Sequence, residues 1–219
     1  MTMRGWSYGY VGPAELRCLV RPDGEGQNMR SPADFVEWVL ARTVEELAEP
    51  FTFVVDQAGL LRLAPRRSEH VVCAGGEAVL GAGEISFREE LGRWAVDEVS
   101  NQSTGYCPDV SSWSAVAEAL DQAGIVRPSG FTHEVVFRRC PTCRQLNIVR
   151  EDDFVCVFCD EVLPGEWNVD QSGRPAVEGL RAWRSCAVPS GASGRGSPVP
   201  GARAVGDSSQ TRSVIPSAS

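Results

Sequence analysis

Lysine is absent from this chain: all 21 basic residues are arginine, which reads as genomic base composition rather than mechanism. No stretch approaches a run of about 18 apolar residues, so no membrane-spanning helix is expected. The first residues carry Arg4 and several aromatics but no apolar run of the kind a signal peptide needs. Positive charge is also in deficit, with a formal net charge of −8. The imbalance is −8 over residues 1–130, −3 over 131–168 and +3 over 169–219. A surface built to follow a phosphate backbone should be basic, so general nucleic-acid binding is disfavoured. Arg138, Arg139, Arg144 and Arg150 could form a local patch, but they read as a solvated face balanced by Glu151, Asp152 and Asp153. Reduced cysteine in the cytoplasm fits this pattern, with no membrane partner expected.

Against these absences stand eight cysteines, four of them in ordered spacing. Cys140-Pro141-Thr142-Cys143 and Cys156-Val157-Phe158-Cys159 are two Cys-x-x-Cys pairs separated by twelve residues. Each pair makes a tight turn that aims two sulfurs at one point, and a hairpin between them brings the turns together. That is the spacing of a structural, four-cysteine zinc site, so Zn(2+) is the expected cofactor. Four thiolates leave no open position for water, which argues against catalytic zinc. His133 reads as a strand residue because the sulfurs already complete the shell. Arg144 and Asp160 follow the pairs where glycine is common, since the turn tends to need positive φ. Cys18, Cys73, Cys107 and Cys186 have no paired spacing, and Cys18 and Cys73 read as buried small hydrophobes.

Along the chain, 1–12, with Trp6, Tyr8 and Tyr10 in alternation, and 16–20 read as strands. Ser31 and Pro32 open a helix whose apolar residues keep helical spacing through Leu47, until Pro50. Residues 51–55 and 60–64 form a hairpin. The glycine-dense stretch Cys73-Ala74-Gly75-Gly76 and Gly81-Ala82-Gly83-Glu84 is followed by a strand, so it fails the context of a phosphate loop. Close backbone packing or bulges account for it better. Residues 84–88 and 93–100 pair around Leu91-Gly92. A helix over 112–122 shows Trp113, Val116, Ala117 and Leu120 on one face and ends at Gly124. Strands over 132–139 and 145–150 belong to the ribbon. Few apolar residues support that ribbon, so metal should contribute on the order of 10 kcal/mol to its folding. From 187 onward the composition predicts disorder, after a short helix over 176–184. The fold class is therefore α+β: a curved, mostly antiparallel sheet with two main helices (1–130), then a small zinc-ribbon hairpin domain (131–168), then a mostly disordered tail (169–219).

The stretch 70–126 resembles the conserved block of plant IQ-motif calmodulin-binding proteins and related bacterial and fungal domains. The resemblance rests on His70-Val71-Val72-Cys73-Ala74-Gly75-Gly76, then Ala82-Gly83-Glu84, then Ser103-Thr104-Gly105-Tyr106-Cys107-Pro108 and the helix carrying Trp113 and Leu120. It implies a similar α+β fold and supplies no established activity. Val71 and Val72 stand where that family has a serine pair, Gly105 stands in place of its histidine, and no IQ motif is present. His70, Tyr106 and Asp109 also resemble the His-Tyr-acid set of ADP-ribosyltransferase-like folds, and Glu84 is an alternative acid for an enzyme site near the glycine loops. There the His and Tyr hold NAD and the acid polarises the ribose. The bland reading makes Tyr106 a packed loop anchor and His70 a satisfied polar residue at a strand start. Three functions follow as expectations. The preferred one is a non-catalytic protein-interaction module with a protein partner. The others are an enzyme with its site near His70 and Tyr106, and a nucleic-acid-binding ribbon.

Overall fold

The computed structural model describes residues 6–22 and 24–169. The expected helix over 176–184 and the expected disordered tail lie outside the described residues. Five strands form one antiparallel sheet: β1 (Gln27–Met29), β2 (Phe51–Val55), β3 (Leu61–Ala64), β4 (Gly81–Glu90) and β5 (Arg93–Val99), in the order β1-β3-β2-β4-β5. Five short helices accompany it: α1 (Ala14–Arg17), α2 (Pro32–Leu40), α3 (Val44–Leu47), α4 (His70–Cys73) and α5 (Trp113–Gln122), the last preceded by a 3-10 turn at Val110–Ser112. A separate antiparallel pair, β6 (Val136–Arg139) and β7 (Leu146–Val149), forms the ribbon.

The sheet is covered on both faces, and strand β2 shows why. Its five residues, Phe-Thr-Phe-Val-Val, are all buried. Successive side chains point to opposite faces. Phe51, Phe53 and Val55 pack with Phe35, Trp38 and Val39 of α2 and Val116 and Leu120 of α5. Val54 points the other way, into a second cluster with Tyr8, Tyr10, Val71, Cys73 and Tyr106. Edge-on aromatic contacts such as Trp38–Phe51, with centroids 4.8 Å apart, lock the first cluster.

Local chemistry sets the element ends. Ser31 caps α2 by accepting from Asp34 N, with Pro32 in the first turn. One helix was expected to run on toward Pro50. Instead Thr43 restarts the chain as α3 with a reciprocal capping box: Thr43 N donates to Glu46 Oε2 at 2.8 Å and Glu46 N to Thr43 Oγ1 at 3.2 Å. The strand expected over 16–20 begins instead as helix α1. Leu16 and Val20 are four apart, a spacing that serves a helical turn, and both pack on the second cluster. Of the strand expected over 1–12, residues 1–5 lie outside the described residues, and 6–12 make a single bridge, Tyr8 to Val79. Cys18 is only partly covered, whereas Cys73 is fully buried, so the expectation for that pair held for Cys73 alone.

The glycine-dense stretch has two jobs. Gly75 and Gly76 have φ of 65° and 83° and end α4, with Gly76 N donating to Val71 O at 2.8 Å and Gly75 N to Val72 O at 2.9 Å. Gly83 lies against the backbone of the segment after β5, where an added Cβ would collide with the Ser100 carbonyl. The chain then leaves β5 through Asn101, which is fully buried. Its amide donates to Pro108 O at 2.9 Å and to Val135 O at 2.8 Å, and its oxygen accepts from Val135 N at 2.7 Å. Asn101 therefore ties the sheet to the strand that enters the ribbon. Gly83→Ala should cost at least about 3 kcal/mol in urea unfolding, because backbone must move. Gly130→Ala, with nothing within 4 Å of the added carbon, should stay within about 0.5 kcal/mol.

Candidate metal centre

Two turns of the same shape deliver the four sulfurs. In the first, Arg144 N donates to Cys140 O at 3.1 Å and Arg144 has φ 63°. In the second, Asp160 N donates to Cys156 O at 3.0 Å and Asp160 has φ 57°. Both residues thus occupy the left-handed conformation that glycine usually fills there. Between the turns, β6 and β7 pair from Val136↔Val149 to Arg139↔Leu146. Glu151 and Asp152, with φ of 51° and 58°, make the two-residue reversal closed by the Arg150–Asp153 bridge.

The four cysteine sulfurs lie within 4.8 Å of one another, close enough to hold one metal ion. Cys140 Sγ is 3.6 Å from Cys159 Sγ, and Cys143 Sγ is 3.6 Å from Cys156 Sγ. Zinc–sulfur bonds of about 2.3 Å in a tetrahedron put sulfurs about 3.8 Å apart, so this cage has the right size for one such ion. His133 is not in the group; its Nδ1 lies 3.2 Å from Thr132 Oγ1. Cys140 and Cys156 are buried beside Leu163, with Val149 and Phe154 packed against them.

The thiols share protons unevenly. Burial opposes charge on Cys156. The N–H groups of Phe158 and Cys159 and the thiols of Cys143 and Cys140 outweigh it and bring Cys156 down to about 6. At Cys159 the Glu161 N–H favours the thiolate, but desolvation and the neighbouring thiols push it up to about 12. A thiolate set this crowded needs a cation to hold all four charges, and a metal that binds must displace protons.

Several residues that sequence reasoning passed over hold this module together. Asn147 is buried in β7; its oxygen accepts from Val157 N at 3.0 Å and its amide donates to Gln145 O at 3.0 Å. Asparagine is poorly suited to strand interiors, which was the available signal. Arg138, expected on a solvated face, is buried. It donates to Pro164 O at 3.0 Å and Gly165 O at 2.6 Å, and lies over the Phe154 ring. Burial lowers its pKa. Trp167 Nε1 donates to Cys107 O at 2.9 Å, and its ring meets Tyr8 edge-on at 5.2 Å, fastening the end of the ribbon to the sheet's second cluster.

Three of the other candidate residues, His70, Tyr106 and Asp109, have a partner of their own. His70 begins α4, not a strand, because the two following glycines end a helical turn there. Its Nε2 lies 3.0 Å from Gly83 O, and a carbonyl only accepts, so the ring carries its proton on Nε2. Burial, only partly offset by the Gly83 carbonyl, holds the His70 pKa below its ordinary value. Tyr106 is fully buried, stacks edge-on with Tyr10 at 5.5 Å, and donates to Glu77 O at 2.7 Å. Burial raises its pKa. Asp109 accepts from Ser111 N at 3.0 Å and caps the 3-10 turn. Glu84 sits on β4 opposite Thr52. Two open hollows, one lined by Glu25, Asn28, Arg30 and Glu37 and the other by Arg93, Asp121 and Arg127, include none of these four. No family model, curated protein or solved structure matches the chain.

His70 makes stability depend on pH. Its folded pKa is depressed, so the neutral ring contributes fully above the ordinary value of about 6.5. Below that the unfolded chain takes up a proton that the folded chain refuses, and stability falls until the folded pKa is passed. Urea unfolding between about pH 7 and about pH 5 should show a loss of up to about 1.4 kcal/mol per pH unit. His70→Gln, which keeps an N–H for Gly83 O, should lack that component.

Proposed function

We propose that the chain is a non-catalytic, zinc-binding protein-interaction module working in the cytoplasm. The observation that carries this reading is the closed cage of Cys140, Cys143, Cys156 and Cys159, whose sulfurs lie within 4.8 Å of one another. Four thiolate ligands suit zinc and leave no position for substrate. Zinc here stiffens a ribbon that extends a curved sheet and presents it to a protein partner. The likeness of 70–126 to the conserved domain of the plant IQ-motif calmodulin-binding proteins is consistent with that sheet acting as a scaffold.

The geometry gives less support to the rival readings. A His-Tyr-acid site would need free polar ends in one cavity. Tyr106 is sealed and spends its hydroxyl on Glu77 O, and His70 spends its Nε2–H on Gly83 O. A phosphate-binding ribbon would need its arginines outward, and Arg138 is turned into Pro164 and Gly165. Calorimetric titration with NAD should give no heat for the wild type or for His70→Ala. Chelating the metal should collapse the NMR amide dispersion of residues 140–166 while the β2–β4 amides keep theirs. Saturable NAD heat lost in His70→Ala, or a ribbon indifferent to chelation, would overturn the reading.

A further inference from the structure

The second cysteine turn presents an apolar surface that nothing within the ribbon covers. Val157, Phe158 and Val162 are 76%, 62% and 67% exposed, and Val155 is 40% exposed. Antiparallel pairing sets Val155 beside Val162. Val157 and Phe158 form the turn between ligands Cys156 and Cys159. The patch is therefore fixed by the four-cysteine cluster whose second turn carries it. A buried apolar anchor in a rigid frame is what a protein interface uses as its energetic centre.

The segment that carries the patch has charge of one sign. Between 151 and 166 the chain carries Glu151, Asp152, Asp153, Asp160, Glu161 and Glu166, all exposed, and no basic residue. None of these six carboxylates enters an ion pair among the described residues. Glu161 does hold Thr142 Oγ1 at 2.9 Å and Val162 N at 3.1 Å, which keeps the patch and the first turn in register. A second copy of this chain is a poor occupant. A two-fold dimer through this patch would set one acidic rim against another. The complementary surface is apolar at its centre and basic at its edge.

We propose that the tip of the ribbon, centred on Val157, Phe158 and Val162, docks a protein segment carrying aliphatic or aromatic anchors flanked by Arg or Lys. This proposal deepens the interaction-module reading and rests on it. The apolar anchors would cover the exposed turn, and the flanking cations would meet Asp160, Glu161 and the Glu151–Asp153 acids.

The probe is a synthetic amphipathic peptide with Leu and Trp anchors at helical spacing and Arg between them, labelled for fluorescence anisotropy. Its twin replaces every Arg with Glu. The zinc-loaded full chain should bind the basic peptide and not the twin. Binding should weaken about tenfold on Phe158→Ser, and severalfold when salt rises from about 50 to about 500 mM. Metal content measured on the same samples shows that Phe158→Ser keeps its cage. A zinc-loaded chain that binds neither peptide, binds both equally, or binds the basic one unchanged after Phe158→Ser overturns the docking proposal alone. So does a zinc-dependent dimer in sedimentation velocity that Phe158→Ser abolishes, since the occupant would then be a second copy. A chain that holds no zinc when supplied with it overturns the underlying reading instead.

Discussion

Four cysteine sulfurs crowded within 4.8 Å of one another, whose mutual repulsion a single cation would relieve, are the constraint on which the ribbon depends. The apolar content of that module is small: Leu163 is buried against Cys140 and Cys156, with Val149 and Phe154 beside them. Such a cluster cannot offset the ordering of about thirty residues, each costing roughly 1–2 kcal/mol of backbone entropy. A metal that contributes on the order of 10 kcal/mol changes the balance. The same economy explains why hydrophobic side chains can face outward here. With a metal supplying cohesion, as proposed, Val157, Phe158 and Val162 would not be needed inside.

The sheet region depends on ordinary burial. Its central strand is covered on both faces, which lets a chain of short helices form two apolar clusters instead of one. The second cluster contains the tyrosines that could have been mistaken for a site. Tyr8, Tyr10 and Tyr106 lie there with Cys73, whose thiol burial pushes up to about 12 and leaves unreactive. The two regions are joined by polar contacts of high fidelity. Asn101 satisfies both backbone groups of Val135, and Trp167 reaches across to Cys107. Loss of the cage would therefore reach the loop 101–108 through bonded neighbours.

Much of this was legible in the sequence, for physical reasons that can be named. The Cys-x-x-Cys pairs, the hairpin at 51–64, the Leu91-Gly92 reversal and the helix ended by Gly124 all depend on local chemistry, and all are present. The positive φ at Arg144 and Asp160 followed from the turn's needs even though neither residue is glycine. What misled was spacing that serves two periods. Leu16 and Val20 fit a helical turn as well as a strand, and His70 opens a turn that Gly75 and Gly76 end. Long-range partners were invisible. Nothing near Arg138 in sequence announces Pro164 and Gly165, and nothing near Tyr106 announces the carbonyl of Glu77.

The central claim is that one ion sits among four sulfurs. Cobalt(II) tests it directly, because its visible absorption reports both geometry and ligand type. Titrating metal-free, reduced protein with Co(II) should produce intense tetrahedral d–d bands and sulfur-to-metal charge transfer that saturate at about one equivalent, and zinc should bleach them. Weak absorption of the six-coordinate kind, or no saturable signal, would contradict the account.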